Sequence, residues 1–582
     1  MTPESDAPRA PTRPPPIAFG LTVAVTGHRG EGLGDPAAAA AALDAVLTMV
    51  AASARTLHAR ETAVFAAVPP ALVLLSALAE GADQIAAERA IALGFGLHAI
   101  LPFAQTRYRT DFADPASAVT FEQLLAQSER VVELPGLRDT AATAYALAGR
   151  ALVAHADILI AVWDGEPARG AGGTGEVVEH ALRRGMPVIH VPSDGEGAVR
   201  LIWSGHDPHI THSHHHDISA FPLDAANLDR LLTTLLAPPG DAVERAHLRL
   251  YLREPERRWR WRLGYPLLFA VVGLAPRWRL RAPPYRSGAE DGDIVDAYAW
   301  ADGLAAHLAQ TYRSGHVFNF AFGALAVLLG LTGLVVPSVK LPLACAELAA
   351  IVAFVLNTRI GVSREWHRRW LDYRQLAERL RPMTCLAALG LAQPDFRARE
   401  HVAWRWVDWY AAGVWRAHGL KSHAVAGTIA DLAAAVSASE IVPQIDYNRA
   451  SALRIHALDH RLHTTGTAVF LLSCLSCTGF IVAFVAAHAW TVAHAPVFVG
   501  LSAGLPAIGT ALFGIRVQGE FAATAARSAA TADRLAVIAA SLASETRSLS
   551  RVADLAEAGA RAMLSDLGAW RLSNEQRRLQ LP

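Results

Sequence analysis

Two hydrophobic patterns divide the chain. Over its first part, short apolar runs alternate with amphipathic stretches. Leu21–Val25, Ala71–Ser76, Leu97–Leu101, Asp157–Val162 and Val188–Val191 read as buried strands, with Val131–Leu134 a further short one. Ala37–Arg60, Gln84–Leu93, Ala141–His155 and Gly175–Arg184 carry helical spacing, and Gly94 and Gly185 close two of them. Apolar strands alternating with helices predict an α/β domain over residues 17–235, a Rossmann-like parallel sheet with helices on both faces.

The later pattern is longer. His316–Val336, Leu341–Asn357, Thr467–Trp490 and Val497–Ile515 are apolar runs of about 20 residues, the length that crosses bilayer hydrocarbon. They predict an all-α membrane region with four transmembrane helices in two hairpins, 316–357 and 467–515, turning at Pro337–Lys340 and Thr491–Pro496. Tyr312-Arg313 and Tyr447-Asn448-Arg449 lead into the hairpins, which read as a degenerate repeat. Arg313, Arg454 and Arg461 precede spans, and Arg359, Arg364, Arg368, Arg369, Arg374, Arg379 and Arg381 follow the second; the tips carry only Lys340. The bias of positive charge toward the inside predicts a multi-pass protein of the inner or plasma membrane with both termini cytoplasmic.

The remaining segments are expected to serve these two parts. Residues 1–16, rich in proline, read as a disordered lead-in. The connector 236–315 contains Arg-Arg-Trp-Arg-Trp-Arg (257–262) before Leu263–Ala275, an apolar run too short to span; it predicts either an interfacial segment or one buried between domains. The 358–466 segment reads as cytoplasmic and helical, with Trp404–Trp415 expected at the lipid headgroups. Residues 516–582 read as cytoplasmic helices packing between subunits of a homo-oligomer.

Composition sharpens the picture. Charged residues make up only 18% and mean hydropathy is +0.24, high for a soluble protein. Lys+Arg and Asp+Glu are both 53, which argues against a general nucleic-acid binder. Three of the four cysteines lie in apolar segments, so no disulfide framework is expected. Cys474-x-x-Cys477 falls in hydrocarbon and is not expected to do redox or zinc chemistry. The histidine tract His206–His216, interrupted by Pro208, reads as a solvated loop rather than a metal site. No metal and no resident cofactor are assigned.

Candidate chemistry sits where strands end. Thr26-Gly27-His28-Arg29-Gly30, Leu78–Asp83 and Asp164–Gly175 each follow a strand. Ligands of open α/β sheets bind beyond the carboxyl ends of strands, so the three loops are expected to line one crevice. Gly27 permits a tight turn. Arg29 either pairs with a phosphate or bridges nearby carboxylates, and His28 is either structural or functional. Glu80 or Asp83, around Gly81, would accept hydrogen bonds from ribose hydroxyls. Asp164-Gly165 opens a glycine-dense loop whose Gly172, Gly173 and Thr174 either surround a phosphate at a helix N-terminus or form only a strand–helix turn. Glu179 is either a catalytic or ribose-binding carboxylate or a solvated helix residue. Glu347, the one formal charge inside a span, is a membrane-path candidate that faces a bundle interior or reaches the interface by tilting. Gly500, Gly504, Gly509 and Gly514 permit close helix packing, and Pro506 a kink.

Val-Thr-Gly-His-Arg (25–29), Leu-Ala-Glu-Gly-Ala-Asp (78–83), Leu101-Pro102-Phe103 and the passage from Trp163-Asp164-Gly165 to Gly172-Gly173-Thr174 fall in an order that resembles the SLOG superfamily, the Rossmann-like group that includes the DprA and "lonely guy" (LOG) proteins. Its enzymes carry Gly-Gly-x-Gly-Thr-x-x-Glu; Gly172, Gly173, Gly175 and Glu179 match, but Glu176 stands at the Thr position. The hairpins, with Trp370–Leu380 after the first, resemble SLATT membrane modules. The resemblances imply a cytoplasmic sensor of a nucleotide-derived small molecule coupled to a membrane effector of the kind proposed to form pores, in bacterial conflict or signalling. Two alternatives stay open: a membrane-anchored nucleotide N-glycosidase or phosphoribohydrolase using Glu179 or Glu176, and a non-catalytic scaffold.

Overall fold

The computed structural model describes residues 13–168, 170–203, 218–257, 262–274, 292–395 and 404–574. The histidine tract, the arginine–tryptophan positions 258–261 and residues 1–12 lie outside them.

The strands are β1 (Gly20–Gly27), β2 (Ala71–Ser76), β3 (Gly96–Leu101), β4 (Arg130–Glu133), β5 (Ile158–Trp163), β6 (Val188–Pro192), β7 (Arg200–Ile202), β8 (Ala220–Pro222) and β9 (His423–Ala424). They form one sheet in the order β8-β7-β6-β5-β1-β2-β3-β4-β9. The expected all-parallel sheet is corrected to a mixed one: β7 and β8 pair antiparallel at one edge. Residues 193–199 between β6 and β7 are too few for a crossover, so the chain can only double back.

Side chains of each strand alternate between two cores, as the pleat requires. Val23, Val25, Ile158, Ile160 and Val162 face α1 (Pro36–Arg60), α2 (Ala82–Ala92) and, beyond the short α3 (Gln105–Tyr108), α4 (Pro115–Gln127). Ala24, Leu159, Ala161 and Trp163 face α5 (Ala141–His155) and α6 (Thr174–Arg183). α7 (Ala225–Leu236) joins the first core through Leu228, Leu231 and Leu232.

The remainder of the described chain is helical apart from β9. α8 (Ala242–Leu252) and α9 (Gly264–Val271) precede α10 (Gly292–Val335), in which lead-in and first apolar run form one helix. α11 (Lys340–Ser363) returns, and α12 (Trp366–Leu380), α13 (Met383–Leu389) and α14 (Trp406–His418) follow. After β9 come α15 (Ile429–Val436) and α16 (Val442–Ala486), a second long lead-in and run. That run stops short of Trp490: Ala487 is non-helical, and the chain turns through α17 (His488–Ala493) into α18 (Ala495–Gly519). α19 (Phe521–Ser544) and α20 (Leu549–Asn574) end the described part.

Five helical stretches among the described residues are long and apolar enough to cross a membrane. The first, Pro36–Arg60, is α1, which lays Leu43, Val46, Leu47 and Val50 on the sheet. In the apolar windows of Pro337–Ser363 and Ile429–Ala486 only 6% of residues are buried. Leu341, Phe470, Leu475 and Val485 are between 65% and 82% exposed in a surface of this kind. Apolar area on that scale requires a lipid or protein cover, consistent with a multi-pass membrane protein. Within this region α18 meets α10 closely: a Cβ at Gly504 would come 3.0 Å from Leu328, and one at Gly514 would overlap Phe320 at 2.2 Å.

One expectation is corrected here. Trp406, Trp409 and Tyr410 of α14 are buried in protein, not placed at headgroups; the Trp409 indole donates to Leu236 O (2.9 Å) and the Tyr410 hydroxyl to Pro15 O (2.7 Å). α14 also grips the amino ends of β1 and β5, where Asp157 accepts from Arg416 (2.7 Å) and from the Thr22 N–H (3.1 Å). The C-terminal helices bury Leu535, Leu542, Val552 and Ala553 in the core shared with α5 and α6. Within the described residues 263–274, Leu268 and Phe269 pack with Leu458 and Leu462, while Leu267 and Val271 are exposed.

Candidate functional site

The chain steps from β1 outward through β2, β3 and β4, then returns to place β5 on the other side of β1. Strand order therefore reverses between β1 and β5, and the carboxyl ends of such a pair splay apart to leave a crevice. A cavity of about 230 Å³ lies there, lined by Thr26, Gly27, His28, Arg29, Asp83, Gly172, Gly173 and Thr174 of the three loops.

Close backbone approach creates the crevice. A Cβ on Gly27 would meet the Ala82 methyl at 2.4 Å, so only glycine lets α2 begin against the end of β1. Gly172 has φ +80°, and a Cβ there would strike Tyr145 at 2.5 Å, which presses the glycine loop onto α5. His28 ties the loops together. Its carbonyl accepts from Ala82 N–H (3.3 Å), and its Nε2 accepts from Asp164 N–H (3.2 Å). Leu78, buried in the left-handed region at φ 55°, puts strain into the second loop, which the Ser76 hydroxyl steadies by accepting from its N–H (2.9 Å).

Charge is arranged around one cation. The Arg29 guanidinium lies 4.8 Å from the Tyr145 ring centroid. Asp83 is 4% exposed and its carboxyl is pushed up to about 7 by burial, against the opposing pull of Arg29. The Ser76 hydroxyl is 3.4 Å from it. The glycine loop carries its own carboxylate: Glu176, in the first turn of α6, accepts a short hydrogen bond from Gly172 N–H. One donor of the anion cradle is thus already used.

The other expected residues stand outside the lining. Glu80, Gly81, Asp164 and Gly165 form the surrounding loops, and Glu179 lies further along α6, 3.7 Å from Arg183. Two tyrosines absent from the sequence expectations line the crevice. Tyr145 donates a short hydrogen bond to Asp111. Tyr108 is 1% exposed, and its hydroxyl has no partner among the described residues. Burial keeps that phenol protonated, so it is a donor waiting for an acceptor. Tyr108 follows the carboxyl end of β3, where the strand-end rule already points.

In the membrane region Glu347 is half-buried and leans on α10: a Cβ at Gly330 would lie 3.0 Å from its Oε2. It therefore faces its own hairpin partner. All four cysteines are unpaired, and no cluster suited to a metal ion occurs among the described residues. Comparison of the chain with family models, with curated proteins and with solved structures finds no match.

Proposed function

We propose that the chain is a membrane-embedded sensor whose SLOG-like crevice binds a nucleotide-derived anion. The observation that carries this is the unpartnered Tyr108 hydroxyl, buried in a crevice that also holds Arg29 and the N-terminus of α6 at the strand-order reversal. A phosphate group fits donors of this kind, and a ribose hydroxyl fits Asp83.

Recognition is favoured over hydrolysis. Glu176 is held by Gly172, and Glu179 is turned toward Arg183 instead of lining the crevice. Neither carboxylate is placed to support a developing oxocarbenium centre.

In this reading α10, α11, α16 and α18 span the membrane with both termini cytoplasmic, following the arginine placement. α5 is the transmitting element. Tyr145, Ala148, Gly149 and Leu152 line the crevice, while Arg150 bonds Asp554 (2.8 Å) and Ser550 O (3.1 Å) of α20. A ligand that favours one setting of α5 would shift α20 and, through it, the span roots, in a homo-oligomer that opens or closes a pathway.

The test is mass spectrometry of small molecules carried by the purified full chain, followed by flux measurements in liposomes with the molecule found. Copurification of a nucleotide derivative, lost in Arg29→Gln, is expected. Base release from that nucleotide, abolished by Glu179→Ala, would replace the sensor with an enzyme. Tight binding without any ligand-dependent leak would remove the pore.

A further inference from the structure

The chain enters its second long helix through an irregular turn. Between α15 and α16, Ser437–Ile441 winds as a π-helix, whose hydrogen bonds reach one residue further than those of the flanking α-helix. Glu440 lies in this turn. Its Oε1 is buried and has no partner among the described residues. A buried acceptor without a donor is rare in a folded chain and calls for an explanation. Burial lifts the carboxyl to about 7 against the pull of Arg381, and Glu378 adds to the rise.

Other groups around the turn leave this balance alone. The Cys385 thiol of α13, 3.9 Å from the Ser439 hydroxyl, is pushed up to about 11 by burial and stays protonated. Asp431 of α15, Asp446 and Arg449 of α16, and Asp533 and Arg534 of α19 are exposed. α20 meets the turn through Gly559, against Ile441, and its Glu557 is held by Arg184 and Arg561.

Arg381 is where the two hairpins are tied together. It follows α12, and its Nη1 donates both to Glu378 Oε2 of α12 (2.6 Å) and to Gln444 Oε1 of α16 (3.0 Å). That nitrogen carries two hydrogens, so both are committed. Gln444 and Tyr447 also line a cavity of about 420 Å³ between the hairpin roots and the C-terminal helices. The start of α16 therefore has open volume to turn into, unlike a helix packed on every side.

We propose that Glu440 is a proton-operated switch at the root of the second hairpin, acting through Arg381. Neutral Glu440 leaves Arg381 to bridge α12 and α16. Ionised Glu440 gives its proton to solvent, draws Arg381 off Gln444, and lets the first turns of α16 loosen toward the cavity. The direction follows from linkage. Glu440 titrates in the fold above its ordinary 4.5, so the stability it contributes is complete below that pH and lost as pH rises through about 7. Because α16 runs on without a break to Ala486, the switch bears directly on the third apolar run. None of this depends on what the crevice binds.

The test is hydrogen exchange of the full chain in detergent at pH 6 and pH 8, read as protection factors over residues 444–452 so that the chemical effect of pH is removed. Between these values the ionised fraction of a carboxyl near 7 rises from about a tenth to about nine-tenths. Protection in this stretch should fall by at least about threefold at pH 8. Glu440→Gln should hold the pH 6 level at both values, and Asp83→Asn should leave the response intact. Gln444→Leu, which gives Arg381 nothing to hold on α16, should show the pH 8 level at both. Should Glu440→Gln fail to fold, the Gln444→Leu result decides alone. A native chain without the response, or a response that survives in Glu440→Gln or Gln444→Leu, overturns the proposal.

Discussion

Glu365 and Glu520 hold the same strained backbone at the same point of the two hairpins. Each is a left-handed residue, φ 49° and 46°, between a returning apolar helix and the helix that follows. Each precedes a buried aromatic, Trp366 or Phe521. The repeat first visible as paired hydropathy thus extends to one dihedral angle.

For a non-glycine residue this conformation costs about 1–2 kcal/mol. Glu520→Val, which adds a β-branch there, should lower thermal stability in detergent, whereas Glu520→Gly should be tolerated or stabilising. Equal losses in both variants would mean that the Glu520 side chain, not its backbone, matters.

Binding of AMP to the crevice should strengthen as pH falls from 8 to 6. Burial raises the Asp83 carboxyl to about 7, so protonation in this window removes the negative charge beside Arg29 and leaves the cation for the phosphate. Asp83→Asn should bind at the low-pH level throughout. The same shift governs stability. Folded Asp83 titrates above its unfolded value of 3.8, so its contribution is fully present below that pH and lost as pH rises through about 7. A pH-independent affinity in the native chain would exclude Asp83 as the controlling group.

Glu176→Thr removes the carboxylate that accepts from Gly172 N–H and releases that donor. Affinity for a phosphate-bearing ligand should rise by about three- to tenfold, the worth of one added hydrogen bond. Calorimetry showing weaker binding would mean that Glu176 holds the loop open rather than occupying it.

Acid should unfold the chain through buried histidines. Burial drives His98 and His155 down to about 4. Their folded values lie below the ordinary 6.5, so the stability they contribute is present above 6.5 and lost as pH falls through 4. His155 stacks on Trp415 at 5.5 Å, and His155→Phe keeps that contact without a titrating group. Urea unfolding of this variant at pH 7 and pH 5 should show a smaller difference than the native chain.

Arg150→Met should cost about 1–3 kcal/mol, since it leaves the Leu391 and Ser550 carbonyls without their donor while Glu557 keeps Arg184. It should also disconnect α20 from the crevice. Hydrogen exchange in α20 that responds to crevice ligand in the native chain should cease to respond in the variant.

Much of the crevice was legible because its punctuation is local. Gly27, Asp83 and Gly172 each sit just past an apolar run, and the strand-end rule brings such places together. Tyr145 was not legible, since only the register of α5 against the glycine loop turns it inward. β9 is a two-residue strand with no periodicity of its own, and it exists because β4 offers Val132 and Glu133 to His423 and Ala424. The aromatic composition of α14 suggested headgroups for a physical reason: indoles suit an interface, and a buried protein contact that satisfies the indole N–H meets the same need. The Arg416–Asp157 pair, distant in sequence, settles which one holds here.

The placement of β9 has a consequence for biosynthesis. Residues 423–424 leave the ribosome after α10 and α11, so β4 keeps a bare edge while the first hairpin is made. Asp157 waits as long for Arg416. A nascent chain stalled before residue 404 would expose an open sheet edge, the kind of surface that recruits chaperones or aggregates. Completion of the sheet therefore waits until the first hairpin has been made.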